Sequence, residues 1–178
     1  MNKLFFTLLL IVVTNNLYGQ TDSVGNVHKT PHVALHFSSP LGLISKAGIK
    51  LEVRAERLSL LFLATNYHGI MPGYQFGLEG RWYMAAKKAL RAENFYYIKT
   101  VGGHQNRVEP GSGFISELPD TYYLGAGAGV GRHINFNHFF IEFNGGLKAT
   151  VAPISDAFFY ITGPGALIDA HFNFGFQL

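Results

Sequence analysis

Apolar and polar residues alternate with a period of two through most of the chain, and helical periodicity is nearly absent. The segment 47–54 is the clearest example, because Lys50, Glu52 and Arg54 fall on one face of a strand and apolar residues on the other. Eight segments of this kind can be recognised, at 32–37, 47–54, 58–67, 74–84, 94–103, 124–131, 139–148 and 168–178. The pattern predicts an all-β protein of eight strands.

For two of the predicted strands the sequence does not show which face is buried. The segment 58–67 is apolar at most positions and 94–103 carries aromatic residues on both faces, so neither shows which face is buried. In 124–131 every second residue is glycine, from Gly125 to Gly131. Such a stripe suits a crowded barrel interior, where a side chain would not fit.

Strand length and strand number together indicate a membrane-spanning barrel. About ten residues is the length with which a tilted strand crosses a bilayer. An even number of strands lets an antiparallel meander close, and closure matters because backbone groups at an open edge would be unpaired in lipid. We therefore predict an eight-stranded antiparallel up-and-down transmembrane β-barrel.

The predicted connections differ in length at the two ends of such a barrel. Those after odd-numbered strands are mostly the longer ones, as in outer-membrane barrels with long outside loops and short periplasmic turns. They are 38–46, 68–73, 104–120 and 152–166, against 55–56, 85–93 and 133–137 at the other end.

The amino-acid composition excludes several classes of protein. The chain has 178 residues, of which 48% are apolar and 14% charged, with no cysteine and a formal net charge of +3. This is enough for one folded domain, it excludes a disulfide-stapled scaffold or a cysteine-ligated metal module, and the charge is too weak for a nucleic-acid partner. After the first 20 residues no apolar run approaches the roughly 18 needed for a spanning helix.

The N-terminus has the features of an export signal. Lys3 provides a basic start, an apolar stretch follows to Val13, and Leu17–Gly19 resembles a cleavage site. We predict a signal peptide at 1–19, a flexible leader at 20–30 and a barrel domain at 31–178. The mature protein is then expected in the outer membrane, where lipid is its first partner.

Charged residues of the alternating strands sit on the polar face alone, four positive and four negative. The predicted lumen network consists of Lys50, Glu52, Arg54, Glu79, Arg81, Glu142, Lys148 and Asp169. An eight-stranded barrel is just wide enough to be filled by side chains, and charges packed there have to be paired. A filled lumen is therefore predicted rather than an open pore. The alternatives are a narrow ion channel, or a periplasmic lipocalin-like binder in which these charges face water.

Three segments carry a resemblance to the small OmpA/OmpX-type outer-membrane β-barrels, and in particular to an uncharacterised family of them. They are Ser39–Leu43, Ile49–Val53 and Gly77–Tyr83. The last strand, from Ala170, is similar to the signal that barrel-assembly machinery reads, although Leu178 stands where the family usually has an aromatic. The signal residues are Phe172, Phe174, Gly175, Phe176 and Leu178. The resemblance implies an outer-membrane location in a Gram-negative envelope and that fold, and it brings no established activity.

Candidates for chemistry are few. Some barrels that this chain resembles deacylate lipids with a Ser, His and acid set, and His36 with Ser38 could imitate it, but no outward acid is available to orient the histidine. His32 and His36 are about 13 Å apart along a strand, too far to chelate one metal even with His171 nearby. We predict no catalytic residue, no metal and no cofactor.

The two longest predicted loops, 104–120 and 152–166, are rich in aromatic and apolar residues such as Phe114, Ile115 and Phe159. These side chains either bind an extracellular ligand or partner, or fold over the barrel mouth. The sequence as a whole predicts an integral outer-membrane barrel with a structural, adhesive or envelope-maintenance role.

Overall fold

A computed structural model describes residues 32–39, 44–55, 57–69, 71–84, 92–108, 118–136, 139–161 and 164–177. The predicted signal peptide and leader lie outside these residues. The strands are β1 His32–Ser39, β2 Ile44–Ala55, β3 Leu58–Gly69, β4 Gly73–Tyr83, β5 Ala92–Gln105, β6 Thr121–Phe136, β7 Phe139–Val151 and β8 Ile168–Gln177. A short helix, α1, covers Ala157–Ile161 between β7 and β8.

Each strand pairs with the next in antiparallel fashion, and β1 pairs with β8 to close the barrel. The predicted all-β, eight-stranded, up-and-down barrel is confirmed. Closure pairs every strand on both sides, so no open sheet edge remains among the eight strands.

The strand register sets the width of the barrel. On one side Ala34 pairs with Gln177 of β8. On its other side Ala34 pairs with β2, and the pairing can be followed from strand to strand as far as β7. The successive partners are Glu52, Leu61, Glu79, Lys99, Gly127 and Lys148. The amide of Lys148 then bonds to the carbonyl of Leu167, which lies ten residues before Gln177. A stagger of this size in eight strands requires a marked strand tilt and leaves an interior that side chains fill.

Several predicted strand ends are wrong, because the ladders run further than the alternation shows. Ile44 pairs with Gly69 and Gly73 with Gln105, so about half of each of the predicted loops 38–46 and 68–73 is strand. The connections are 40–43, 70–72, 106–120 and 152–167 at one end, called the loop end, and 56–57, 84–91 and 137–138 at the other, called the turn end. Only two loop-end connections are long, so the predicted alternation of lengths is weaker than expected.

The outside of the barrel is apolar and its inside is polar. Strands β4, β7 and β8 expose apolar side chains outward, including Trp82, Phe143 and Ile168, and bury polar ones inward. In β3, where the sequence did not show the buried face, Leu61 is buried inside the barrel and Phe62 is exposed on its outer face. Among the described residues, no helix has the length and apolar composition needed to cross a membrane.

The glycine stripe of β6 faces the interior, as predicted. Gly129 lies opposite Gly146 of β7, and a Cβ atom on either would stand 2.6 Å from the hydroxyl of Tyr97. Real Cβ atoms do not approach so closely, so these glycines make room for the tyrosine inside the barrel.

Candidate functional site: the filled lumen and its cap

The structure places all eight predicted lumen residues on the inner face of the barrel. Seven are buried, and the eighth, Arg54, lies near the turn end with its side chain 18% exposed. Alternation along each strand explains this placement, since the outer face has no charged residue in these stretches. Four of the eight form one cluster around Arg81, Asp169 is the centre of a second cluster, and Arg54 belongs to a separate ion pair. Lys50 and Lys148 extend the polar interior beside them.

The first cluster surrounds Arg81 of β4, whose side chain is fully buried. Its guanidinium donates two hydrogen bonds to Glu142, at 2.6 and 2.8 Å, and its Nε donates to Glu79 at 2.7 Å. A carboxylate oxygen of Glu52 is 3.6 Å away, and Tyr83 donates its hydroxyl to Glu52 at 2.7 Å. One cation therefore joins carboxylates from β2, β4 and β7 across the lumen.

Amide side chains complete the cluster from β7 and β8. Asn173 donates to Glu142 at 2.6 Å and Asn144 donates to it at 3.3 Å. Charged groups buried this deeply are tolerated only when their hydrogen bonds are satisfied, and Glu142 meets that condition.

The second cluster surrounds Asp169 of β8, nearer the loop end. Lys99 forms an ion pair with Asp169, Tyr97 donates its hydroxyl at 2.9 Å, and the His171 ring nitrogen is 2.6 Å from the same carboxylate. The Lys99 ammonium also lies 3.3 Å from His171. Strands β5 and β8 are thus joined across the barrel by side chains alone.

Two further lysines extend the polar interior. Lys148 donates to the carbonyl of Pro164 at 2.5 Å, which ties the lumen to the long connection between β7 and β8. Lys50 lies 4.0 Å from Glu79. Within the described part of the chain, its ammonium has no hydrogen-bond partner.

The turn end of the lumen is closed by an ion pair and aromatic rings. Arg54 donates two hydrogen bonds to Glu93, at 2.6 and 2.9 Å, and its guanidinium lies 3.7 Å from the centre of the Tyr83 ring. The fully buried Phe95 packs against Tyr83, and the fully buried Phe140 stacks on His133, which in turn contacts Tyr83. This layer separates the Arg81 cluster from solvent.

The loop end is closed by an apolar cap built from strand ends and the long connections. Its buried members are Tyr67, Met71, Val108, Leu118, Tyr123, Ile154 and Phe159. Phe159 of α1 is completely buried, and a backbone bridge between Val108 and Leu118 holds the other long connection. The sequence left open whether the loop aromatics bind a ligand or fold over the barrel mouth, and Phe159 folds over the mouth. Phe114 and Ile115 lie outside the described residues.

Phe159→Ala is expected to open this cap without unfolding the barrel. Removing a fully buried phenylalanine costs about 3 kcal/mol or more, and here that cost falls on one local unit. Limited proteolysis of the folded protein should show faster cleavage in 152–167. Leu167→Ala in the same connection, where the side chain is exposed, should leave the rate unchanged. Equal cleavage of Phe159→Ala and the wild type would show that Phe159 does not hold the cap.

Sequence reasoning missed two members of the ionic interior. Lys99 lies in β5, for which the sequence did not show the buried face, and Glu93 was assigned to a turn although it is the second residue of that strand. With them the described lumen holds five cations (Lys50, Arg54, Arg81, Lys99, Lys148) and five carboxylates (Glu52, Glu79, Glu93, Glu142, Asp169). The charge of Lys99 could have placed it inside, because in the membrane-spanning barrel that the sequence predicts a lysine on the outer, apolar face is unfavourable.

The structure describes the remaining predicted site residues, namely the histidine and serine candidates and the assembly signal, only in part. The backbone of His36 pairs with Lys50 and Gly175, and the side chains of His32, His36 and Ser38 lie outside the described part. Among the described residues no group of three or more His, Asp or Glu is arranged to hold a metal ion. Of the assembly-signal residues, Phe174 and Phe176 are exposed on the outer face, Phe172 is half-buried and Gly175 is buried. Leu178 lies outside the described residues.

These features define a class: a small closed β-barrel with an apolar exterior, an ion-paired interior and an apolar cap. No family model and no curated protein matches the chain. Among solved structures, the N-terminal β-barrel domain of Pseudomonas aeruginosa OprF is similar in fold. The TM-score is 0.56 and the identity 11%, over 83% of this chain and 96% of that domain.

Proposed function

We propose that this protein is an integral outer-membrane barrel with a structural, adhesive or envelope-maintenance role. The observation that carries the proposal is the reversed distribution of side chains. Apolar residues such as Ile98, Leu124 and Leu147 are exposed on the outer face of β2 to β8, the strands whose side chains are described, while arginine, lysine and glutamate are buried within the barrel. In water it would be unfavourable both to expose these apolar side chains and to bury the charged ones. In a bilayer the apolar outer face contacts lipid, and the polar groups are paired inside the barrel.

The height of the apolar band supports membrane insertion. On β4 the outward Tyr74 and Trp82 are eight residues apart, which is about 26 Å along a strand. With a strand tilt of about 40° the two rings are about 20 Å apart along the barrel axis. Aromatic side chains at this separation match the girdles that flank the apolar band of outer-membrane barrels. The similarity to the OprF barrel domain is consistent with this location.

The proposal includes partners that follow from insertion. Lipid covers the outer face, and the C-terminal strand, with Phe174 and Phe176 exposed, serves as the signal for barrel-assembly machinery. An extracellular ligand for the long connections stays a prediction. We propose no enzymatic activity and no cofactor, and the export signal at 1–19 belongs to the same proposal.

Heat-modifiable gel mobility tests the architecture and location together. The protein should be found in the outer-membrane fraction, and the unheated sample should migrate differently from the boiled one because folded barrels of this class resist detergent until heated. Recovery from the soluble periplasmic fraction, with a single gel band, would contradict the proposal and favour the lipocalin-like alternative.

A second expectation separates a structural barrel from a channel. Purified protein in a planar bilayer should show no stable conductance steps, because the lumen is closed by the cap, the Arg81 cluster and the Arg54–Glu93 layer in turn. Phe159→Ala should also be silent, since two of these three barriers are intact in it. Stable unit steps in the wild type would favour the ion-channel alternative.

A further inference from the structure

The apolar outer face has a notch over Gly80 of β4. In the register Gly80 lies between Leu60 of β3 and Ile98 of β5, and both of these side chains stand out from the barrel. The notch is lined by outward side chains of four strands, namely Val53, Leu58, Leu60, Trp82, Tyr96 and Ile98. A Cβ atom on Gly80 would meet only Ile98, at 3.8 Å, so the gap exists because this residue has no side chain.

A positively charged residue, Arg57, is the chain neighbour of Leu58, which lines the turn-end side of this notch. Arg57 directly precedes Leu58, its side chain is exposed, and its carbonyl accepts the amide of Tyr83 at 2.7 Å, which fixes its backbone beside the notch. Among the described residues no acidic side chain is paired with Arg57. Trp82 and Tyr96, each with a polar hydrogen-bond donor, pair with each other across β4 and β5 beside it.

We propose that the notch binds one phospholipid, with an acyl chain over Gly80 and the lipid phosphate at Arg57. A guanidinium binds phosphate through two parallel hydrogen bonds, and indole and phenol groups favour the same interfacial depth. The apolar walls exclude water, so in a bilayer the gap has to be filled by an acyl chain or by another apolar group. This inference rests on the proposed membrane insertion.

A second copy of the chain fits the notch less well. Dimers of identical chains are most often two-fold symmetric, and a two-fold axis through this small area would bring both Arg57 side chains close together. Like charges facing each other at the membrane boundary are unfavourable without an acid between them. A lipid instead supplies the opposite charge and the apolar chain in one molecule.

Filling the notch tests the proposal directly. Protein extracted in mild detergent and delipidated to constant composition should retain about one phospholipid per barrel by native mass spectrometry. Gly80→Phe should reduce the retained lipid about tenfold, and Arg57→Gln should reduce it by a smaller factor. Gly145→Phe is the matched control, because Gly145 lies on a different strand, β7, and nothing stands within 4 Å of its Cβ position. It should retain lipid as the wild type does.

Two results would overturn the lipid site. Equal lipid in the wild type and Gly80→Phe would overturn the site, and so would a dimer that Gly80→Phe converts to monomer, since the occupant would then be a second copy. Insertion into phospholipid vesicles and heat-modifiable mobility are measured on the same samples. If the wild type fails to insert, the proposed function fails, whereas insertion with equal lipid retention overturns this site alone.

Discussion

Replacing Arg81 with methionine is expected to lower the free energy of unfolding by about 3–5 kcal/mol, the usual cost of breaking a buried ion pair by removing one partner. Arg81 is the only one of the lumen cations that contacts Glu52, Glu79 and Glu142 together in the described structure. Without it, three buried carboxylates face one another across the lumen. Urea unfolding in detergent micelles or vesicles, followed by gel mobility, measures the loss.

Two companion variants show whether charge is the cause. In Arg81→Met with Glu142→Gln one of the orphaned carboxylates becomes neutral, so part of the stability should return. Arg57→Gln removes an exposed arginine of the same chain and should change the free energy of unfolding by less than about 1 kcal/mol. If Arg81→Met unfolds at the wild-type urea concentration, the Arg81 cluster does not stabilise the barrel.

Gly129→Ala is expected to lower the free energy of unfolding by about 2–3 kcal/mol, because its Cβ atom has no room. That atom would stand 2.6 Å from the Tyr97 hydroxyl and 2.7 Å from the Cα atom of Gly146, and it would also collide with the backbone carbonyl of Gly145. Since two of these neighbours are backbone, removing the hydroxyl with Tyr97→Phe should not restore the lost stability. The same urea titration measures the effect.

Gly145→Ala is the matched control for this prediction. Its Cβ atom would meet nothing within 4 Å, so the substitution should be neutral or stabilise the protein by about 0.4–1 kcal/mol through a less flexible unfolded chain. Equal destabilisation by the two alanines would show that glycine flexibility, and not space inside the barrel, is what β6 and β7 require.

Much of the fold could be predicted because a closed barrel with an apolar outer face and a polar inner face repeats one simple rule. In β2, β4, β7 and β8 the apolar and polar faces separate cleanly, and residues such as Lys50, Arg81 and Asp169 lie where alternation places them. Strand ends were harder, because residues such as Ile44 and Gly73 lie in ladders that a local pattern does not show. The facing of β3 and β5 was harder still, since Leu61 and Phe62 are both apolar while one is buried and the other exposed.

By itself the sequence determined the number of strands, their alternation and the inward placement of eight charges, because period two is a property of the extended backbone alone. Only the tertiary structure decided which charges meet. Arg81 and Glu142 are 61 positions apart, and the stagger of the closed barrel brings them to 2.6 Å. Tertiary structure also decided that Lys99 and Glu93 complete the ionic interior, and that Phe159 closes the mouth. These contacts cross the barrel, so they depend on register and closure, which no local stretch of residues specifies.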